Sequence, residues 1–257
     1  MSMFQRRSAL ALAVVFALSS GCSREPERGS TIAVAAAANL TEVLTAAGSA
    51  FEAKTGIHPV ISFASTSQLE QQIENAAPYD VFLAADASHV EKLEQKHLLA
   101  PNSKAVYAIG VLALWIPPSS PAAVSRIQDL ASPSVRTIAI ANPQLAPYGQ
   151  AAVETLKSAG IWDQVQSKIV YAENISMARQ YGDSGNADAV FTAYSLVLKE
   201  AGTMLQVDEK LHQPIQQELG VVAASTHQSA ARKFTDFLLK GAGKDLLRQY
   251  GYRFPSQ

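Results

Sequence analysis

Two kinds of hydrophobic pattern alternate along the chain from Thr31 onward. Short apolar runs, typical of buried strands, are separated by longer segments whose apolar residues recur at helical spacing. In the first of these segments the apolar residues share one helical face, and Gly56 stands just past its end as a C-cap. The residues of that face are Leu40, Val43, Leu44, Ala47 and Phe51. The pattern therefore predicts an α-helix directly after the first strand.

The same alternation continues to the end of the chain. It predicts strands at residues 31–36, 59–63, 81–84, 107–116, 137–141, 168–171, 189–193 and 218–223. It predicts further helices at residues 69–74, 87–98, 150–159, 176–181, 195–200, 230–239 and 244–249. Strands that alternate with helices in this way are typical of an α/β fold with parallel sheets. The Pro- and Ser-rich segment 116–125, which follows the apolar run 111–115, indicates a change of domain.

The N-terminal segment has the pattern of an export signal. Arg6 and Arg7 precede an apolar stretch at 9–18 that is too short to span a bilayer, so residues 1–21 are interpreted as a signal peptide. The arginine pair leaves a twin-arginine export route open. Cys22, the single cysteine of the chain, follows in a stretch that resembles the lipobox of bacterial lipoproteins, and residues 22–30 would then be a flexible tether. The alternative is a soluble export signal, because Ser19 stands where a lipobox has an aliphatic residue.

Composition narrows the range of partners. The chain is 48% hydrophobic and 17% charged, with a mean hydropathy of +0.05 and a formal net charge of -1. These values are typical of an ordinary globular protein. No basic block occurs in the sequence, which argues against nucleic acid as a partner.

Four predicted helices begin with capping residues directly after a predicted strand. These starts are Asn39 with Glu42 and Ser67 with Glu70, both spaced as capping boxes, the group Pro147, Tyr148 and Gly149, and Asn174. One cap alone is an ordinary helix start signal. In open α/β sheets, however, ligands bind beyond the carboxyl ends of strands, where helix N-termini present unpaired N–H donors. If the four starts converge, they form an anion site.

The chemistry of these helix starts favours a fully ionised oxyanion. None carries Lys or Arg close to its cap, so neutral donors would hold the anion. No carboxylate lies among the small capping residues to accept a proton from a ligand such as hydrogen phosphate, because Asp86 is interpreted as the cap of the next helix. The alanines at 35–38 leave room for the backbone to approach an oxyanion, and Asn39 can donate from its own amide.

Several stretches together resemble the periplasmic molybdate-binding proteins of ABC importers, a branch of the two-lobed substrate-binding proteins. The resemblance covers residues 31–254 and rests on VAAAANL, FASTSQLEQQIENAAPYDVFLAAD, IAIANPQLAPYGQAAVETL, GIWDQV, DAVFTAYS and RQYGYRF, in that order. It implies two α/β lobes, each a mostly parallel sheet flanked by helices, with the ligand cleft at the hinge. The lobes would comprise residues 31–111 with 219–257, and residues 112–218.

The resemblance also implies a ligand and its contacts. The ligand would be molybdate or tungstate, with no further cofactor and no direct metal ligands, since the metal is bound as its oxyanion. Carried over by position, the contacts are Ala38, Asn39, Thr66, Tyr148 and Ile175, with Ser65 and Ser67 as additional candidates. They would be mainly backbone N–H groups, helped by the Thr66 hydroxyl and the Asn39 amide. The protein would be a periplasmic monomer that docks on the membrane subunits of the importer.

The sequence departs from that family at the site. Many members have serine in place of Asn39 and of Thr66, and other members have alanine in place of Tyr148. A tyrosine that some members present from the strand at 189–193 is here Ala193, with Tyr194 one place on.

Two other classes of function remain open from the residues. An exported enzyme is disfavoured because the histidines have neither the spacing of a metal site nor that of a partnered nucleophile. These histidines are His58, His89, His97, His212 and His227. A binding protein for another anion, such as sulfate or a small organic anion, is the nearer alternative. A carboxylate ligand usually takes a bidentate arginine, which the helix starts lack.

Overall fold

Ten strands form two five-stranded sheets in residues 30–255, which are the residues that this computed structural model describes. In chain order the strands are β1 Thr31–Ala37, β2 His58–Ala64, β3 Val81–Leu83, β4 Ala105–Gly110, β5 Leu112–Ile116, β6 Ile138–Ala141, β7 Ile169–Ala172, β8 Ala189–Ala193, β9 Thr203–Gln206 and β10 Ile215–Val221. The predicted signal peptide 1–21, the lipidation candidate Cys22 and nearly all of the tether lie outside the described residues.

The helices lie between these strands. They are α1 Thr41–Thr55, α2 Thr66–Glu74, α3 Ser88–Gln95, α4 Pro147–Ser158, α5 Trp162–Val165, α6 Ile175–Asp183, α7 Tyr194–Val197, α8 Gln228–Leu239 and α9 Ala242–Gln249. Short 3-10 turns occur at Ala38–Leu40, Ile127–Ala131, Gln166–Lys168 and Glu209–Leu211. Within residues 30–255, no helix is long and apolar enough to cross a membrane.

The two sheets have the same plan. The first has the order β2-β1-β3-β10-β4 and the second β7-β6-β8-β5-β9. In the first, β1, β2 and β3 are mutually parallel, and β10 is antiparallel to both β3 and β4. In the second, β6, β7 and β8 are parallel, and β5 is antiparallel to both β8 and β9. Four strands of each sheet therefore share one direction, and the predicted α/β class with two mostly parallel lobes is confirmed.

The strands β5 and β10 mark where the chain passes between the lobes. The predicted strand 107–116 is in fact two strands, because the chain leaves the first sheet at Gly110 and enters the second at Leu112. The intervening Val111 accepts a hydrogen bond from the backbone N–H of Tyr194 through its carbonyl. The chain returns at Ile215, where β10 begins to pair with β4.

This return corrects two predictions. The strand predicted at 218–223 begins three residues earlier, and residues 215–218 lie in the sheet of the first lobe although the predicted boundary places them in the second. The polar residues Gln216 and Gln217 conceal the beginning of the strand from a hydrophobicity pattern. The edge strand β9 was missed for a similar reason, since its four residues, TMLQ, are short and of mixed polarity.

Both faces of each sheet are covered by helices, which explains the nearly continuous apolar character of the central strands. In β1, Ala36 packs in a cluster with α1 and α8, whereas Ala35 faces the opposite cluster with Leu69 and Phe82. Helix α1 ends as predicted at Gly56, whose φ of 73° is the left-handed conformation of a C-cap. The sheets thus hold the strand ends, and the helix starts that follow them, in fixed positions.

Candidate functional site

Four helices begin around one small cavity between the two lobes. The first lobe contributes the turn that leads into α1 and the start of α2, and the second lobe contributes the starts of α4 and α6. Each follows the carboxyl end of a strand, namely β1, β2, β6 and β7. The lining residues are Ala37, Ala38, Asn39, Ala64, Ser65, Thr66, Ala85, Ala146, Pro147, Tyr148, Asn174 and Ile175.

The cavity is compact and uncharged. None of its lining residues in the described chain carries a charge, and five of them are alanines. The volume open to the centre of a water-sized sphere is about 10 Å³. This is room for one small compact group and not for an extended organic molecule. Of the four alanines at 35–38, Ala37 and Ala38 line the cavity, whereas Ala35 and Ala36 pack in the core on opposite faces of β1.

The donors around the cavity are neutral. The first N–H groups of a helix have no partner within the helix, and Thr66, Tyr148 and Ile175 are all in a first turn. Ala38 and Asn39 lie in the turn that precedes α1. The N-terminal ends of α2, α4 and α6 add the positive ends of their dipoles. The cavity thus presents several N–H donors without any cationic side chain.

The Thr66 hydroxyl is oriented by the neighbouring strand end. Its Oγ1 accepts a hydrogen bond of 3.1 Å from the backbone N–H of Ala85, and the side chain is buried with 1% of its surface exposed. Because this bond uses an oxygen lone pair, the hydroxyl hydrogen is left to donate elsewhere. Both Thr66 and Ala85 line the cavity, so that hydrogen can be directed to an occupant.

Two of the predicted caps are wrong. Asn39 does not cap α1, because it lies inside the 3-10 turn Ala38–Leu40 and the N-cap is Leu40. Ser67 does not cap α2 either: the cap is Ser65, whose backbone N–H and hydroxyl both donate to Gln68 Oε1. The two errors have different origins. In the second stretch Ser65, Thr66 and Ser67 are all good capping residues, and local sequence does not choose among them. In the first, a 3-10 turn precedes the helix, and the Asn39 side chain bonds Gln217 and Tyr252 instead. The Asn174 cap is confirmed, with Oδ1 accepting from Met177 N at 3.0 Å.

The other candidate residues differ in their access to the cavity. Ser65 lines it, although its hydroxyl donates at 2.6 Å to Gln68. Ser67 does not line it; its backbone N–H crosses to the second lobe and donates to the carbonyl of Leu145 at 3.2 Å. Neither Ala193 nor Tyr194 lines it.

Hydrogen bonds across the cleft hold the two lobes together at its rim. The Ser176 hydroxyl, at the start of α6, donates to the carbonyl of Ala38 at 2.9 Å. The Gln68 amide donates to the Glu173 carboxylate. Farther out, the Arg179 guanidinium of the second lobe forms an ion pair with the Glu42 carboxylate of the first, with Nη1 and Oε1 3.4 Å apart. The structure therefore represents a closed arrangement, in which residues of both lobes surround the cavity.

Beneath the cavity lies a buried polar network that sequence reasoning missed. Gln217 of β10 accepts from the Tyr107 hydroxyl at 2.6 Å and from Asn39 Nδ2 at 3.0 Å, and its own amide donates to the Tyr148 hydroxyl at 2.9 Å. Tyr252 donates to the Asn39 carbonyl at 2.8 Å, as does Ser195 at 3.0 Å. The network joins both lobes, since Tyr148 and Ser195 belong to the second lobe.

The tyrosines of this network are uncharged donors. Burial raises the pKa of Tyr107, Tyr148 and Tyr252 above the ordinary value for tyrosine. Their hydroxyls therefore stay protonated throughout the neutral range, and no negative charge arises beneath the cavity. The sequence offered no clear signal for Gln217, because it lies in the polar run 216–218 of β10 and its partners are distant in sequence.

Asp86, predicted to cap α3, stands one residue before the observed N-cap Ala87, although its carboxylate still accepts from the first turn of that helix. Its Oδ1 accepts from the backbone N–H of His89 at 3.2 Å, in the first turn of α3. His89 also contacts this carboxylate through Nδ1 at 2.7 Å and Glu70 through Nε2 at 3.3 Å. Residues 30–255 contain no group of three His, Cys, Asp or Glu side chains arranged to hold a metal ion.

Comparisons of the sequence and of the structure with known proteins agree on one family. The model of the bacterial extracellular solute-binding proteins matches residues 32–253. The chain is 35% identical over 248 residues to the molybdate-binding protein ModA of Rhodobacter capsulatus, covering 96% of each. It is 34% identical over 247 residues to the molybdate-binding protein ModA of Azotobacter vinelandii, covering 93% of this chain and 96% of that relative. A solved structure of the Azotobacter vinelandii periplasmic molybdate-binding protein matches with a TM-score of 0.83 and 30% identity, covering 88% of this chain and 100% of the other.

Proposed function

This chain belongs to the family of bacterial extracellular solute-binding proteins, and we propose that it binds molybdate and delivers it to an ABC importer. One observation carries the proposal: four helix starts, two from each lobe, surround a compact cavity lined by neutral donors. The molybdate-binding relatives support the same ligand. The family is one of solute-binding proteins, and catalysis is not part of the proposal.

The lining favours an inorganic oxyanion over other anions. A carboxylate ligand usually takes a bidentate arginine, and no lining residue of the described chain is Arg or Lys. A protonated anion such as hydrogen phosphate needs an acceptor for its proton, and no carboxylate lines the cavity. A fully ionised dianion, in contrast, can take a hydrogen bond from every donor around it.

Selectivity within this class is geometric. Molybdate and tungstate are nearly equal in size, and sulfate is a smaller tetrahedron. Donors held by two rigid sheets at the spacing of the larger ion leave the hydrogen bonds to sulfate long. Each unmade hydrogen bond to a charged group costs about 1.5 to 3 kcal/mol. Tungstate is therefore expected to bind nearly as well as molybdate, and sulfate far more weakly.

We further propose that Ala38, Asn39, Thr66, Tyr148 and Ile175 are the ligand contacts, with Ser65 beside them. Ser67 is the weakest candidate, because its N–H is already bonded to Leu145. The protein acts as a periplasmic monomer whose closed form, with both lobes in contact, docks on the importer. Attachment to the membrane through a lipid on Cys22 is a separate proposal, and the mass of the mature N-terminal peptide tests it.

The melting temperature tests the ligand directly. The mature protein is heated alone and with molybdate, tungstate, sulfate or phosphate at equal excess. A ligand at 100 times its dissociation constant stabilises the fold by about 2.7 kcal/mol, which raises the melting temperature by about 5 to 10 °C. A shift with molybdate and tungstate and little with sulfate is the expected result. A larger shift with sulfate would make this a sulfate-binding protein, and no shift with any anion would refute the oxyanion proposal.

A further inference from the structure

The side chain of Asn39 has an unusual set of hydrogen bonds. It is buried, with 1% of its surface exposed, and it lines the cavity. Its Nδ2 donates to Gln217 Oε1 at 3.0 Å and to the Tyr252 hydroxyl at 2.9 Å. Its Oδ1 is buried and has no partner among the described residues. An unpaired buried acceptor costs about 1 to 3 kcal/mol, so this arrangement has a defect beside the ligand cavity.

A second arrangement of the same atoms removes the defect. The oxygen and nitrogen of an amide exchange places when the group turns by 180°, and the hydrogen-bond partners decide which orientation is adopted. If the amides of Asn39 and Gln217 turn together, Gln217 Nε2 donates to Asn39 Oδ1 and Gln217 Oε1 accepts from the Tyr148 hydroxyl. Tyr107 still donates to the carbonyl of Ala84, at 3.0 Å. Tyr252 can donate to Asn39 Oδ1, while Ser195 continues to donate to the Asn39 carbonyl.

In the turned arrangement every polar atom of the network has a partner except Asn39 Nδ2. This nitrogen takes the place of the unpaired oxygen, at a residue that lines the cavity. An N–H donor there suits an oxyanion, whereas the oxygen of the first arrangement would repel it. Neither amide can turn alone, because two oxygens or two N–H groups would then face each other across the 3.0 Å contact.

We propose that Gln217 is a positioning residue for oxyanion binding, because its amide orientation holds the Asn39 amide with its N–H groups toward the ligand. This inference rests on the proposed function, since it assumes an anionic ligand in this cavity. Gln217 lies in the strand β10 of the first lobe and bonds Tyr148 of the second lobe. The same amide therefore couples the closed contact between the lobes to the polarity of the cavity.

Replacing the amide of Gln217 by a carboxylate tests the coupling. In Gln217→Glu, the ionised carboxylate at residue 217 offers acceptors alone, so Asn39 must donate to it and turn its own oxygen toward the ligand. The added charge also acts on the ligand directly, and a double-mutant cycle separates the two effects. Asn39→Ser removes the amide at residue 39 but leaves the introduced carboxylate in place, and a serine hydroxyl can turn freely to donate to either side.

Calorimetric titration with molybdate is carried out on the four proteins of this cycle. Gln164→Glu, an exposed position on α5 outside the cavity, is the matched control for charge. The expected result is that Gln217→Glu weakens binding at least about tenfold more when residue 39 is asparagine than in the Asn39→Ser background. Equal losses in both backgrounds would overturn the role of Gln217. Failure of the unmodified protein to bind molybdate would instead refute the proposed function.

A measurement on the unmodified protein does not depend on the folding of any variant at residue 217. Asparagine labelled with nitrogen-15 reports each side-chain amide, and the signal absent from Asn39→Ser belongs to Asn39. Molybdate is expected to shift this signal, because Nδ2, which has no partner within the protein in the turned arrangement, gains the ligand as its acceptor. An Asn39 signal that stays unchanged at saturating molybdate would overturn the proposal.

Discussion

Replacing Thr66 with valine separates two tasks of one hydroxyl. Valine keeps the shape of threonine but can neither donate nor accept a hydrogen bond. In the folded protein Thr66 Oγ1 accepts from the backbone N–H of Ala85 at 3.1 Å, and its hydrogen is available to a ligand in the cavity. Thr66→Val therefore removes one bond within the protein and one proposed bond to the oxyanion.

The two losses have different magnitudes and different readouts. The backbone N–H of Ala85 is left buried without a partner, which lowers the free energy of unfolding of the ligand-free protein by about 1 to 3 kcal/mol. A lost hydrogen bond to a charged ligand costs about 1.5 to 3 kcal/mol, which weakens molybdate binding by about 10- to 150-fold. Thr66→Ser keeps both bonds and is the matched control.

Urea unfolding without ligand measures the first loss, and calorimetric titration with molybdate measures the second. Thr66→Ser is expected to stay within about threefold of the unmodified affinity, since its hydroxyl performs both tasks. If Thr66→Val binds molybdate as tightly as Thr66→Ser, the Thr66 hydroxyl is not a ligand contact. If its free energy of unfolding is also unchanged, the reasoning from the Ala85 bond is wrong as well.

Two further predictions concern the stability of the fold. A Cβ at Gly110 would lie 2.3 Å from the Tyr148 hydroxyl and 2.4 Å from Gln217 Nε2, so Gly110→Ala should cost about 1 to 3 kcal/mol and lower the melting temperature by several degrees. The control is Gly48→Ala, whose Cβ would meet only side-chain carbons, at 3.2 and 3.4 Å. Scanning calorimetry measures both melting temperatures, and equal values for the two variants would contradict the prediction. Asp188 is buried, which raises the pKa of its carboxyl, but the N–H groups of Arg136 and Thr137 and the Arg136 guanidinium lower this pKa more, leaving it below its ordinary value. The stabilisation by the ionised Asp188 is therefore complete above the ordinary aspartate pKa of about 3.9, and it is lost as the pH falls through the lower pKa of the folded protein. Asp188→Asn should lower the free energy of unfolding by about 1 to 2 kcal/mol at pH 7. In acid the free energies of unfolding of the two proteins should converge. Urea unfolding measured across pH checks this prediction, with the exposed Asp163→Asn as the control variant. If the free energies of unfolding of Asp188→Asn and the unmodified protein differ by a constant amount down to about pH 2, the prediction is wrong.

Much of the fold is encoded in local patterns. Hydrophobic periodicity placed β1, β3, β6 and β8 within one or two residues, because a strand buried on both faces is apolar throughout. The same pattern placed the start of α6, where the Asn174 side chain caps the helix as its local sequence requires. The pattern failed where polarity is mixed, as at β9, and where polar residues begin a strand, as at Gln216 and Gln217 of β10.

The sequence by itself determined the chemistry available at the site: helix starts after strands, small residues for close approach, and no cation near any of them. Tertiary structure decided which atoms are used. The capping position belongs to Ser65, whereas Ser67 crosses the cleft to Leu145, because strand register and lobe packing select among equally good caps. The Asn39 side chain is hydrogen-bonded to Gln217 and Tyr252, which are separated from it by 178 and 213 positions in the sequence. Local propensity carries no information about such pairs, since only the packing of the two sheets brings them together.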